Sequence, residues 1–81
     1  MRDGKNSTRL EKIAENGEVY LASSDEAVIE TAGLAKDRPE TFLYDAGDGQ
    51  GQVTGTVISS YRDGAELHFS VRPEVPGAHA I

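Results

Sequence analysis

The hydrophobic and polar positions divide the chain into short β-type runs and one helical run. The first two β-type runs, 8–15 and 18–22, are separated by Asn16-Gly17. An Asn-Gly pair between such runs is typical of a two-residue type I′ turn, because both turn positions need positive φ. The pattern therefore predicts an N-terminal β-hairpin.

The apolar residues of the first run do not alternate regularly. Leu10 and Ile13 are three residues apart, so they cannot share one face of a regular strand. Either a bulge near Glu11 and Lys12 corrects the spacing, or one of the two apolar side chains faces a second core, as a dimer would supply. The sequence leaves both explanations open.

A short helix is predicted directly after the hairpin. Ser23 and Glu26 have the spacing of a capping box at the helix start. At the other end, Gly33 suits a left-handed residue after the helix, with Leu34 contacting Ile29. The buried stripe is expected to contain Ala27, Val28, Ile29 and Ala32.

Three more strands are predicted after the helix. They cover 41–44, 53–61 and 65–72, with a glycine-rich connection at 45–52 and a turn at Asp63-Gly64. The last strand alternates most regularly. In the strand before it, Gly55 indicates a bulge or a bend, and Val53, Val57 and Tyr61 are expected to share one face.

The predicted fold is a small α+β domain with the element order β-β-α-β-β-β. It spans residues 8–72, with a mobile arm at 1–7 and a loose tail at 73–81. The chain has 81 residues and no cysteine, so it has no disulfide to stabilise a core of this size. Association is the remaining common remedy, and we expect a homodimer.

The charges are unevenly distributed along the chain. The net charge is −6, yet four of the eight basic residues lie within the first 14 positions. An acidic surface can serve solubility alone, and the excess of acids over lysines is also similar to that of proteins from salt-loving microbes. The local excess of positive charge, however, is what a nucleic-acid binder with a limited contact site would need.

Catalytic and metal-binding chemistry find little support. His68 and His79 lie in no recognisable motif, and there is no cysteine nucleophile. Asp45 and Asp48 among the glycines do not have the spacing of a calcium loop. We therefore expect a protein that is not an enzyme and has no cofactor.

The basic residues at the N-terminus are the best candidates for a site. Arg9 and Lys12 on the first hairpin, with Arg2 and Lys5 on the arm, can contact phosphates, and a two-stranded ribbon fits the major groove. The alternative is a solvated strand whose charges pair across the hairpin. Residue types alone do not separate the two.

A family resemblance favours the first interpretation. The stretches Arg9-Leu10, 15–21 and 30–34 resemble the AbrB/MazE-type swapped-hairpin family, also called the looped-hinge-helix fold. The resemblance implies that two chains exchange hairpins, which also accommodates the spacing of Leu10 and Ile13. Its members are transcription regulators or antitoxin subunits whose N-terminal basic residues face DNA.

The expectation from the sequence is therefore a homodimeric, non-catalytic DNA-binding protein acting as a transcription regulator. Arg9 and Lys12 would contact double-stranded DNA, and Arg2 and Lys5 would add phosphate contacts. The alternative is a protein-interaction module, such as an antitoxin subunit, that presents Glu26, Glu30 and the tail to a basic partner, either a toxin or another protein. The chain has neither a long apolar run nor a signal-peptide pattern, so we expect a cytoplasmic location.

Overall fold

Five strands and one short helix make up the described part of the chain. The computed structural model describes residues 8–45, 47 and 50–74. The predicted order β-β-α-β-β-β and the α+β class are confirmed; the expected arm and the part of the expected tail after Glu74 lie outside the described residues. In chain order the elements are β1 (Thr8–Ile13), β2 (Val19–Ser23), α1 (Glu26–Leu34), β3 (Glu40–Asp45), β4 (Gln50–Asp63) and β5 (Glu66–Pro73).

The strands close into a barrel in the order β1-β2-β5-β4-β3. Neighbouring strands are antiparallel except at the seam, where β1 and β3 are parallel and share one residue pair, Arg9 and Asp45. The fifth strand lies between β2 and β4. The first hairpin is therefore an integral part of the barrel wall.

The first hairpin turns through three residues. The Gly17 N–H donates to the Ala14 carbonyl at 3.0 Å, and the Ala14 N–H donates to the Glu18 carbonyl at 2.8 Å. Gly17 has a φ of 96°, which suits the left-handed position that ends such a loop. The predicted hairpin is confirmed, whereas the predicted two-residue type I′ turn is wrong.

A bulge in β1 resolves the irregular spacing of its apolar residues. The pairing register with β2 shifts between Leu10 and Lys12, so Glu11 is the additional residue. Without this shift Lys12 would point to the same side as Leu10, towards the core. With it, Arg9 and Lys12 both point outwards. The bulge therefore explains the spacing within a single chain.

Apolar side chains from all five strands and the helix fill the barrel. The rings of Phe42 and Phe69 pack with their centroids 5.2 Å apart and their planes tilted by 58°. The buried cluster consists of Val19, Leu21, Ala32, Ala35, Phe42, Val53, Val57, Phe69 and Val71.

Gly55 allows β4 and β5 to approach closely at one end of their pairing. A Cβ atom there would overlap the carbonyl oxygen of Arg72 and lie 2.7 Å from the Cα of Pro73. The register shift in β4 lies further along, between Val57 and Ser59. Gly55 therefore marks a backbone contact, and the bulge predicted there is displaced along the strand.

The helix begins at a different cap from the one predicted. Asp25 is the N-cap, and its Oδ1 accepts a hydrogen bond from the Ala27 N–H at 2.9 Å. Ser23 is fully buried at the end of β2, where its Oγ accepts hydrogen bonds from Thr8 Oγ1 at 2.8 Å and from the Asp25 N–H at 3.1 Å. The predicted capping box is wrong, because Ser23 links β1 to the start of the helix.

The end of α1 also differs from the prediction. Gly33 lies inside the helix, and the C-cap is Ala35, which has a φ of −71° and donates its N–H to the Thr31 carbonyl. The expected left-handed ending at Gly33 is therefore wrong. Of the expected stripe, Ala32 is buried and Val28 packs against the core. Within the described residues, no helix has the length and apolar character needed to cross a membrane.

Candidate nucleic-acid interface

The outward-pointing side chains of β1, β2, β5 and β4 form one continuous surface, which we call the outer face. Two rows of cross-strand neighbours run over it. One row is Arg9, Ala22, His68 and Tyr61, and the other is Lys12, Tyr20, Ser70 and Ser59. Of these residues, Ala22 and Ser70 are buried. Glu11, Thr56, Asp63, Glu66 and Arg72 complete the outer face.

The outer face differs in charge from the remainder of the protein. It carries three cations, Arg9, Lys12 and Arg72, and three carboxylates, Glu11, Glu66 and the cross-strand partner of Glu66, Asp63. The whole chain has a net charge of −6. The charges of the outer face therefore balance, and the acidic excess of the chain lies elsewhere.

The structure brings together the two predicted site residues that it describes. Arg9 and Lys12 lie on the outer face, on either side of the β1 bulge. The other two predicted residues, Arg2 and Lys5, lie outside the described residues. Arg9 and Lys12 therefore share a surface, while the contact of any of these four residues with DNA stays a prediction.

Arg9 is held by acidic partners. Its Nη1 donates to Glu66 Oε2 at 2.6 Å, and its Nη2 donates to Glu66 Oε1 at 3.3 Å. A second carboxylate, Glu11 Oε2, lies 3.6 Å from Nη2. This two-point contact fixes the guanidinium plane against β5. A phosphate can bind Arg9 only by sharing it with Glu66 or displacing that carboxylate.

The contact shifts the ionisation of both partners. The hydrogen bond from Arg9 is the main cause that lowers the pKa of Glu66 below its ordinary value of 4.5, and partial desolvation of the carboxylate opposes it. The hydrogen bond to Glu66 likewise raises the pKa of Arg9 above its ordinary value. Glu66 is therefore charged throughout the neutral range, and its link to Arg9 persists there.

Replacing Glu66 with Gln tests this ion pair through pH. Because the pKa of Glu66 is lower in the folded than in the unfolded chain, its stabilising contribution is present above about 4.5 and is lost as the pH falls through the folded value. We expect the wild type to be more stable than Glu66→Gln at pH 7, and the difference to vanish in acid. Urea unfolding of both proteins between pH 7 and 3 measures it; a difference that does not change with pH would contradict the ion pair.

His68 lies beneath the same cluster. Its side chain is only 12% exposed, with Nδ1 3.2 Å from Glu11 Oε1 and Nε2 3.4 Å from Glu66 Oε1. Nε2 is buried and has no hydrogen-bond partner of adequate geometry among the described residues. The carboxylates approach opposite ring nitrogens, so they cannot converge with the imidazole on one ion. No group of three or more potential metal ligands occurs in the described part of the chain.

A pocket of about 290 Å³ opens in the middle of the outer face. The Lys12 ammonium lies 4.9 Å from the centre of the Tyr20 ring, a cation–π contact. The hydroxyls of Ser59 and Ser70 hydrogen bond to each other at 2.7 Å. Glu11, Tyr61, His68 and Phe69 complete the lining. The pocket thus combines aromatic side chains with hydroxyls and charged groups.

Comparison with known proteins adds no relative. No protein-family model matches the chain, and no curated protein or solved structure was found that matches it. The resemblance to the AbrB/MazE family therefore rests on the residues quoted above. In the chain as described, β2 pairs with β5 of the same chain over five residue pairs, from Val19 with Val71 to Ser23 with Leu67.

A second surface corresponds to the alternative function. A groove of about 250 Å³ runs between α1 and β3, and it includes Leu43, which is 52% exposed. Glu26 and Glu30 are exposed on the same helix. This surface is acidic and partly apolar, in contrast to the outer face. The remaining lining residues are Asp25, Ala27, Val28, Thr31, Thr41 and Phe42.

Proposed function

We propose that the protein is a non-catalytic DNA-binding protein that uses its outer face, in keeping with the transcription-regulator role that the AbrB-type resemblance implies. The observation that supports this most directly is the gathering of Arg9, Lys12 and Arg72 on one surface of an otherwise acidic chain. Contacts of Lys and Arg with phosphates supply most of the affinity of such proteins.

The fold limits how the first hairpin can meet DNA. One edge of β2 is paired with β1 and the other with β5, so the hairpin is not a separate two-stranded ribbon. Deep insertion of a ribbon into the major groove is therefore disfavoured. We propose instead that the outer face lies against the backbone, where such contacts set orientation more than sequence preference.

Association into a homodimer would raise the affinity of the outer face for the DNA backbone. A twofold pair would present two outer faces, and the predicted contacts of Arg2 and Lys5 would add to each. The acidic remainder must then face away from the DNA. Dimerisation and the exchange of hairpins are part of this proposal.

Titration of duplex DNA at several salt concentrations tests the proposed function. We expect Arg9→Ala/Lys12→Ala to weaken binding by about tenfold or more and to lower the salt slope by about 1.8 per protomer. Lys36→Ala/Arg38→Ala removes the same charge from the segment after α1, away from the outer face. Fluorescence anisotropy with a labelled duplex measures both variants.

The matched pair of variants makes the outcome specific. If both double variants lose the same affinity, only the overall charge matters and the outer face is not the site. If the wild-type protein binds no DNA even at low salt, the proposed function is wrong. Glu66→Gln should raise the affinity for duplex DNA, because it releases Arg9 from Glu66 and leaves the guanidinium free to bind a phosphate.

A protein-interaction module is the second candidate. The exposed Leu43 beside the acidic helix favours it, because this groove suits a partner that is basic and partly apolar. An antitoxin-like role would use this surface. Failure of the wild type to bind DNA at low salt, together with an intact fold, would favour this candidate over the first.

A further inference from the structure

Tyr61 is an aromatic side chain that the fold turns outwards. The bulge between Val57 and Ser59 adds one residue to β4, so that Tyr61 is placed opposite His68 on the outer face. Its ring is stacked on the imidazole, with the centres 4.9 Å apart and the planes within 9° of parallel. Tyr61 is nevertheless 63% exposed, which leaves its opposite ring face available.

The surroundings of Tyr61 suit a planar, partly polar group. The pocket beside it holds Tyr20 and the hydroxyls of Ser59 and Ser70, which can exchange their mutual hydrogen bond for one to a ligand. Its volume of about 290 Å³ is at the small end of ligand sites, so it suits one ring system rather than a large molecule.

Basic side chains lie beside this pocket. Lys12 lines it together with Glu11, Arg9 lies in the row that contains His68 and Tyr61, and Arg72 lies opposite Thr56. Basic side chains next to aromatic rings that can stack are the combination that binds a single nucleic-acid strand. The charges match the phosphates, and the open ring of Tyr61 matches the face of a base.

We propose that an unpaired nucleobase stacks on the open ring face of Tyr61 at the edge of this pocket, so that the preferred ligand of the outer face is single-stranded DNA. The inference rests on the proposed DNA binding and deepens it. Duplex DNA offers the same phosphates to Arg9 and Lys12, but its bases are stacked inside the helix and cannot reach Tyr61. Contact with Tyr61 therefore distinguishes DNA that has unpaired bases from duplex DNA.

Three DNA ligands of the same length distinguish base stacking on Tyr61 from phosphate contacts with Arg9 and Lys12. A 12-nucleotide oligo(dT), an abasic 12-mer and a 12-base-pair duplex are each titrated against the full chain. We expect wild-type protein to bind oligo(dT) about tenfold more tightly than the abasic strand. The abasic strand retains the phosphates, so it reports the contribution of Arg9 and Lys12 alone.

Variants at Tyr61 assign the preference to this ring. We expect Tyr61→Ala to reduce the preference for oligo(dT) over the abasic strand to about twofold or less, and Tyr61→Phe to retain it. Affinity for the abasic strand should not change in either variant. Leu43→Ala, at an exposed position of β3 outside the outer face, serves as the control and should keep the preference.

The outcomes distinguish this inference from the proposed function. If wild-type protein binds oligo(dT), the abasic strand and the duplex equally, the pocket takes no base, while DNA binding stands. If none of the three binds at low salt, the proposed function and the inference both fail. If Tyr61→Ala weakens binding of the abasic strand as much as that of oligo(dT), stacking is not the cause and the inference is overturned.

Discussion

Adding a methyl group at Gly55 is expected to lower the free energy of unfolding by about 3 kcal/mol. The new Cβ would overlap the Arg72 carbonyl oxygen and press on the Cα of Pro73. Both obstacles belong to the main chain, so no side chain can rotate away and β4 must separate from β5. For a domain of this size, the loss is equivalent to a fall in Tm on the order of 15 °C. Thermal and urea unfolding of Gly55→Ala measure it.

Gly33 provides a matched control for the same substitution. It lies in α1, where a Cβ would meet nothing within 4 Å. Alanine is favoured over glycine inside a helix, so Gly33→Ala should raise stability by about 0.5–1 kcal/mol. If Gly55→Ala unfolds at the same temperature as the wild type, the close approach of β4 and β5 is wrong.

Truncation of Phe42 is expected to lower the free energy of unfolding by about 3–5 kcal/mol. This side chain is among the largest that are fully buried, and its ring packs on Phe69 across the barrel. Alanine would leave a cavity lined by the strands around it. Because a chain of 81 residues has a total stability of only about 4–12 kcal/mol, much of Phe42→Ala would be unfolded at 37 °C.

The adjacent residue gives the reference for this prediction. Leu43 is also apolar but is half-exposed, on the opposite side of β3. Leu43→Ala should therefore change the free energy of unfolding by less than about 1 kcal/mol. Urea unfolding of both variants tests the assignment, and equal losses would mean that β3 is turned or shifted in register relative to the structure.

The sequence predicted the elements because their signals are local. Turn residues, alternation and a short helical stripe give the order β-β-α-β-β-β without knowledge of distant contacts. The prediction of the helix N-cap was wrong because of a contact between residues far apart in the sequence. Ser23 has the spacing of a cap, but its hydroxyl is taken by Thr8 across the first hairpin, and the nearby Asp25 caps the helix instead.

The bulge positions decide which side chains face the core, and only one of the two bulges was indicated by the sequence. One extra residue reverses the side to which every later side chain in a strand points. The bulge in β4 therefore moves Tyr61 away from the core face that alternation with Val53 and Val57 predicts. In β1, the residues around Glu11 suggested a bulge, and the structure has it there.

The candidate site was predicted only in part. Shared basic charge identified Arg9 and Lys12, but the partner that holds Arg9 is Glu66, 57 residues later in the chain. That contact depends on β5 lying next to β2, which no local pattern reveals. The pocket is formed by residues of four strands, so it could not be recognised before the barrel order was known.

The position of β5 between β2 and β4 affects when the protein can fold during its synthesis. The ribosome completes β1 and β2 long before β5, yet β2 needs β5 as its second neighbouring strand. Tyr20, for example, pairs with Ser70, which is synthesised about fifty residues later. Until β5 has left the exit tunnel, two separate hairpin edges stay open to other chains. The nascent protein therefore acquires its barrel in one late step.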